Sequence, residues 1–393
     1  MPYFEPWQQL EKKSFNNTYT LNKIIMRTRV TITILILALI GGSVSNINAC
    51  TGLRLIAKDG GVVVGRTLEF GVDPQSEILV FPAGKEITSS LPDKSKGITY
   101  TSKYGIVGAN GFGFDIHADG INEKGLYVGL HYFPGYASYN QADASKHDVS
   151  MAAEDYGTWL LANFASVEEV KANFDKVFLV ENPLKVLGNI SMPAHFVVHD
   201  NSGACVVIEP LNKKLVIYDN PVGVFTNSPP FDWHLTNLNN YMNLSVINVE
   251  PFDFAGMQLR ASGEGSGLRG LPGDGTPPSR FIRAAIYSQS AIQQETAELT
   301  VAQVFHLMNN FDIPVGSVRD VVKTSDGTTV FNELTSWTTV IDLKNLNYSF
   351  KTYQGQQVCQ IDILETLKAA KGKVRHISME SEFTVIDVSN KFK

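Results

Sequence analysis

Residues 45–52 read SNINACTG, and residues 51–71 continue as TGLRLIAKDGGVVVGRTLEFG. An apolar run stops just before this stretch, and an alternation of apolar and polar residues begins within it. That period of two, on either side of Asp59-Gly60-Gly61, is the pattern of a β-hairpin. Cys50, one of only three cysteines in 393 residues, stands at the seam and heads the first strand. The fold therefore starts at a cysteine.

Upstream of the seam, the chain from Met26 has the layout of a secretory leader. Arg27 and Arg29 form a basic start, residues 30–40 (VTITILILALI) the apolar core, and a small, polar segment runs to Ala49. The apolar run is short for a membrane span and lacks a stop-transfer flank. Residues 1–49 thus read as an upstream extension (1–25) and a cleavable signal peptide (26–49), with a periplasmic or secreted product and no membrane span after processing. Cleavage after Ala49 makes Cys50 the first residue. The removed segment holds five Lys/Arg and two Asp/Glu, so the net charge of -6 becomes -9 in the mature chain.

Hydrophobic residues make up 44% of the chain and charged ones 18%, enough for a sizeable core and without the basic excess of a nucleic-acid binder. Nucleic acid is excluded as a partner. Cys50, Cys205 and Cys359 show neither metal-knuckle spacing nor a disulfide framework. Cys205 alternates within an apolar strand and reads as a buried small side chain, and Cys359 reads the same way. His195 and His199 are four apart, a spacing that serves a metal on a helix, but AHFVVHD (194–200) is a strand pattern. No metal and no organic cofactor are expected.

Further strands are predicted at 76–84, 104–111, 125–133, 194–210 with its Asn201-Ser202-Gly203 turn, 214–220, 223–229 (GVFTNSP), 337–353 and 381–388 (SEFTVIDV). Helical spacing of apolar residues occupies 150–174, 279–294 and 300–311. The Gly-rich stretch 261–279 reads as a long functional loop. One α+β domain over 50–393 is expected, with two packed sheets flanked by helices.

An N-terminal cysteine can do chemistry that an internal one cannot. An α-amine titrates near ~7.7–8 and a cysteine thiol near ~8.5, so one residue can supply both general base and nucleophile. Such a site also needs a cation beside the sulfur, acceptors that orient the amine, and donors that face the developing oxyanion. Cys50-Thr51-Gly52, GRTLEF (65–70), ADGINEKGL (118–126), TNSPPFDWHLTNL (226–238) and PGDGTPPSRFIRA (272–284) together resemble the choloylglycine hydrolase family, the bile salt hydrolases and penicillin V acylases of the N-terminal nucleophile hydrolase superfamily. Five motifs in family order, spanning residues 50 to about 353, carry the resemblance.

The resemblance implies a four-layer αββα sandwich of two antiparallel sheets, hydrolysis of a linear amide, and a homo-oligomer such as a tetramer. It implies Cys50 as nucleophile, Arg66 beside the thiol, Asn227 as oxyanion donor and Arg280 as the supporting arginine. Glu69 stands where the family carries an aspartate that holds the amine. His131 stands where bile salt hydrolases have an asparagine and penicillin V acylases a tyrosine, and Tyr132 takes that place if the register slips by one. Alone, Arg66 reads as a solvated hairpin residue and Asn227 as a turn former; their company favours catalysis. Of Arg280 and Arg283, three apart at a helix start, Arg280 is assigned to the site.

The substrate expected is a small-molecule N-acyl amide. A leader-bearing member points to penicillin V or related amides, with conjugated bile salts and N-acyl homoserine lactones as further members of the set. A different class is a lipid-anchored periplasmic binding protein modified at Cys50. INAC (47–50) has an apolar residue at -3 and a small one at -1, but Asn48 suits that signal poorly.

Overall fold

The computed structural model describes residues 50–324 and 327–391; the extension (1–25) and leader (26–49) lie outside the described residues. β1 (Cys50–Ile56) and β2 (Val62–Phe70) form the expected hairpin, with Cys50 opposite Leu68 and Gly52 opposite Arg66. Gly60 closes its turn at φ 79°, a conformation that only glycine adopts without steric cost.

Seven strands follow in one antiparallel sheet: β3 (Glu77–Phe81), β4 (Ile106–Ala109), β5 (Asp119–Asn122), β6 (Tyr127–Tyr132), β7 (Ala194–His199), β8 (Cys205–Leu211) and β9 (Lys214–Asp219). The first sheet is completed by β10 (Val318–Thr324), β11 (Gly327–Asp342), β12 (Asn347–Thr352) and β13 (Cys359–Asp362), in the order β1-β2-β11-β12-β13 with β10 on β11. β14 (Arg375–Ser378) adds to β3, giving the second sheet the order β9-β8-β7-β6-β5-β4-β3-β14.

The helices that cover these sheets are α1 (Tyr156–Asn163), α2 (Phe231–Asn237), α3 (Pro277–Ser290), α4 (Ala297–Met308) and α5 (Ile363–Ala370). Alternation sorts the layers. In β3, Ile78 and Val80 join Val64 and Tyr348 in the core between the sheets, whereas Leu79 and Phe81 belong with Tyr156 and Leu160 of α1. On the first sheet, α3 and α4 pack against β1 and β2. A Cβ at Gly65 would stand 2.4 Å from Val304 Cγ1 of α4, so glycine is what lets this helix sit close. The layer order is α–β–β–α.

That geometry decides which way the β2 side chains point. Gly65, Thr67 and Glu69 share the helix-covered face, while Arg66 and Leu68 face the second sheet with Cys50. α3 opens on Pro277-Pro278, whose fixed φ suits a first helical turn, and so sets Arg280 one turn inside it.

Four expectations are corrected. GVFTNSP is no strand: it meets β1 only where Gly52 and Phe225 exchange backbone hydrogen bonds of 2.7 and 2.9 Å, and Pro229-Pro230 then offer no further N–H. SEFTVIDV joins no strand ladder among the described residues, and Phe383 and Val385 are 68% and 74% exposed. Alternation makes a strand only where a neighbour offers an open edge. Cys359 is exposed because β13 is an edge strand; Cys205 is buried as expected. The helical stretch 150–174 is broken into a short strand (Ser150–Ala152), α1 and a helix Val167–Lys171 capped by Ser166. No helix among the described residues is long and apolar enough to cross a membrane.

Candidate active site

Cys50 is buried at the head of β1, and three distant segments converge on it. Across the hairpin, Arg66 reaches its sulfur with Nη2 at 3.7 Å. The guanidinium is buried and held from the other side by the carbonyls of Ala118 and Leu130, so the second sheet fixes its position. It lies over the Trp337 ring at 5.2 Å and 3.9 Å from Asp119 Oδ2. A fixed cation beside a sulfur is the setting a thiolate nucleophile needs.

The single bridge at Phe225 carries Asn227 over the start of β1. Its Oδ1 accepts from Cys50 N at 2.7 Å and from Arg280 Nη2 at 2.8 Å, while Nδ2 donates to the Tyr132 carbonyl at 2.8 Å. The amide is thereby oriented, and Nδ2 keeps a second N–H. Arg280 spends its remaining donors on the Cys50 carbonyl and Thr51 Oγ1, each at 2.6 Å, and on the Gly275 carbonyl at 2.9 Å. Arg283 instead staples the loop before α3 through the Pro272 and Asp274 carbonyls. Of the two, Arg280 is the one at the cysteine.

Cys50, Arg66, Asn227 and Arg280 are thus brought together, and Glu69 is placed differently. Its carboxyl is buried on the helix-covered face, where Oε1 accepts from Thr335 Oγ1 at 3.4 Å and makes no bond to Cys50 N. Burial pushes it up to about 8, with the nearby Arg280 acting in the opposite direction. His131 points between the sheets, with Nδ1 3.0 Å from the Thr226 carbonyl. Burial holds it well below the ordinary histidine range, with Arg66 adding to the effect, so it is neutral. Tyr132 offers its carbonyl to Asn227 and its ring to Phe70, whose other neighbour is Phe112.

Several residues of this network escaped sequence reasoning. Asp119 accepts hydroxyl hydrogen bonds from Tyr127, Thr339 and Tyr348, each at 3.0 Å, beside Arg66. Burial raises it, and Arg66 opposes that rise. In sequence it is an aspartate before a glycine, the signature of a turn. Thr51, His195, Glu209, Thr226 and His234 were equally silent as site residues, because their partners lie on other elements of the fold. His195 and His199, once paired by spacing, have separate neighbours: Glu209 for the first, Cys205 for the second.

Comparison with known proteins places the chain in a family. Residues 50–375 match the family model described as linear amide C–N hydrolases, choloylglycine hydrolase family. The bile salt hydrolase/transferase of Clostridium perfringens is 36% identical over 318 residues, which cover 80% of this chain and 92% of that one. A crystal structure of a mutant conjugated bile acid hydrolase from Clostridium perfringens superposes with a TM-score of 0.74 at 32% identity, covering 86% of this chain and all of the other. The penicillin V acylase of Agrobacterium tumefaciens gives 0.65 at 25% identity, over 84% and 92% of the two chains. With a family match from Cys50 to the start of β14 and relatives covered almost end to end, the chain belongs to the choloylglycine hydrolase family and is a linear amide C–N hydrolase of the N-terminal nucleophile fold.

Proposed function

We propose that removal of residues 1–49 frees the α-amine of Cys50 and that this residue is both nucleophile and base. The observation that carries the proposal is the convergence of Arg66 on the sulfur with Asn227 and Arg280 on the backbone of the same residue. The amine takes the thiol proton, and the sulfur attacks the amide carbon. The carbonyl electron pair becomes an oxyanion that faces the second N–H of Asn227 Nδ2. On collapse the C–N bond breaks, the amine's proton passes to the leaving nitrogen, and a thioester remains on Cys50. Water, giving its proton to the same amine, attacks the thioester and releases the acid and the thiol.

In this proposal Arg66 balances charge on the sulfur, and Arg280 holds the Cys50 carbonyl and Asn227 in register. Glu69 lies buried on the Arg280 side of the sheet, away from the sulfur, and His131 and Tyr132 shape the wall on the oxyanion side. The start of the family match at residue 50 supports a mature chain that begins there, exported to the periplasm or beyond. Exposed Phe252, Phe254, Met257 and Leu259 on one short hairpin support assembly into a homo-oligomer.

For the substrate, Phe70, Phe112 and Tyr132 form an aromatic cluster at the end of β2 that suits a bulky apolar acyl group. The 36%-identical bile salt hydrolase/transferase supports conjugated bile salts ahead of penicillin V. The test is a panel of a glycine-conjugated bile salt, penicillin V and an N-acyl homoserine lactone. The bile salt is expected to show the highest kcat/KM; cleavage of the lactone alone would overturn the assignment.

A further inference from the structure

Behind Asn227 lies a second polar layer that the chemistry above does not use. The Thr226 carbonyl faces two imidazoles, His131 Nδ1 at 3.0 Å and His195 Nε2 at 3.2 Å. The next carbonyl, that of Asn227 itself, faces His234 Nε2 at 2.9 Å. Both peptide groups flanking the Asn227 side chain are therefore clamped by buried histidines. His131 and His195 are cross-strand partners on β6 and β7, and His234 is on α2, so the clamp draws on separate elements of the fold.

A carbonyl oxygen only accepts, so each of these ring nitrogens must carry the proton. For His131, a proton on Nδ1 leaves Nε2 bare, and Nε2 is indeed the atom without a partner. His195 is different, because its other nitrogen, Nδ1, lies 3.0 Å from Glu209 Oε1. That contact anchors one edge of the ring while Nε2 on the other edge faces Thr226. Glu209 thus holds the ring in the orientation that turns Nε2 toward Thr226. Glu209 is itself anchored by the Phe231 N–H, which approaches its two oxygens at 3.1 and 3.2 Å. The His195 ring is fixed in the plane as well, stacked on Phe133 at 4.1 Å and packed by Phe225 at 4.2 Å.

We propose that His195, with its ring oriented by Glu209, is a positioning residue for the amide hydrolysis: through the Thr226 carbonyl it aims the Asn227 side chain at the developing oxyanion. The proposal rests on Asn227 being the oxyanion donor, and the experiment separates the two ideas. His195→Phe keeps a stacked ring and removes the donor. It is expected to lower kcat on the order of tenfold to a hundredfold, the scale of a small misplacement of a catalytic group, with KM nearly unchanged.

The decisive readout is a double-mutant cycle with Asn227→Ala. If His195 acts through Asn227, His195→Phe should cost little in the Asn227→Ala background. An equal loss in both backgrounds would overturn the proposal and leave Asn227 intact as donor. No loss from Asn227→Ala alone would overturn the underlying reading instead. Glu209→Gln is expected to rescue, since its amide NH2 can donate to His195 Nδ1 while its oxygen keeps Phe231, whereas Glu209→Leu should resemble His195→Phe. Should a variant fail to fold, nitrogen-15 NMR of the histidines in the wild-type enzyme decides the matter. A proton on His195 Nε2 is expected, and a bare Nε2 would overturn the proposal.

Discussion

A chain that keeps one residue in front of Cys50 is expected to fold normally and to hydrolyse no amide. In such a chain the Cys50 nitrogen is a peptide N–H that donates to Asn227 Oδ1, as seen at 2.7 Å, and it has no basic electron pair to take the thiol proton. Loss of a general base typically costs about 10²–10⁴ in rate, and here the base has no substitute. The measurement is turnover of the best panel substrate by an uncleaved one-residue extension, verified by intact mass and checked for folding by circular dichroism. His131→Ala is the contrasting arm, because His131 is a neutral imidazole with a bare, buried Nε2 and is the obvious rival base. It is expected to change rate or substrate preference without silencing the enzyme. An active extension together with a dead His131→Ala would mean that histidine, not the α-amine, is the base.

Asn227→Ala is expected to lower kcat by about 10²–10³ with KM nearly unchanged, the usual cost of losing one oxyanion donor. The variant loses two functions at once, since Oδ1 also holds Cys50 N and Arg280. Asn227→Asp separates the oxygen from the NH2: it keeps an oxygen for both donors, next to a cation that accommodates the charge, and removes the two N–H groups, one facing the oxyanion and one held by the Tyr132 carbonyl. A loss in kcat as large as that of the alanine variant would assign the effect to the donor. A raised KM with normal kcat in either variant would make Asn227 a binding or turn residue.

The parts of the fold that were legible in the sequence are those set by local periodicity. The Asp59-Gly60-Gly61 hairpin, the alternating strands of the second sheet and the helix behind Pro277-Pro278 each announce themselves within about twenty residues. The site was legible where motifs kept company: Arg66 alone reads as a solvated hairpin residue, and Cys50 sixteen residues upstream with the later motifs assigned it to the sulfur. What stayed hidden depends on register between distant strands. Glu69 and Arg66 are three apart, yet strand alternation sends them to opposite faces, so the carboxyl ends on the helix side of the sheet from the sulfur. His195 finds Glu209 and Thr226 only because β7 and β8 pair in one register and Phe225 touches Gly52 at one point. GVFTNSP carries the composition of a strand, and its backbone polar groups are claimed by histidine side chains instead of a ladder.

The central claim is that Cys50, with its own free amine, carries the acyl group. The most direct measurement is to mix exported enzyme with the best panel substrate, quench in acid during turnover, and map the acyl group by mass spectrometry of the digested protein. The expected result is an N-terminal peptide that begins at Cys50, has an unmodified α-amine, and holds the substrate's acyl group as a thioester on the sulfur. A peptide that begins elsewhere, an acyl group on another residue, or a lipid on Cys50 would contradict the account.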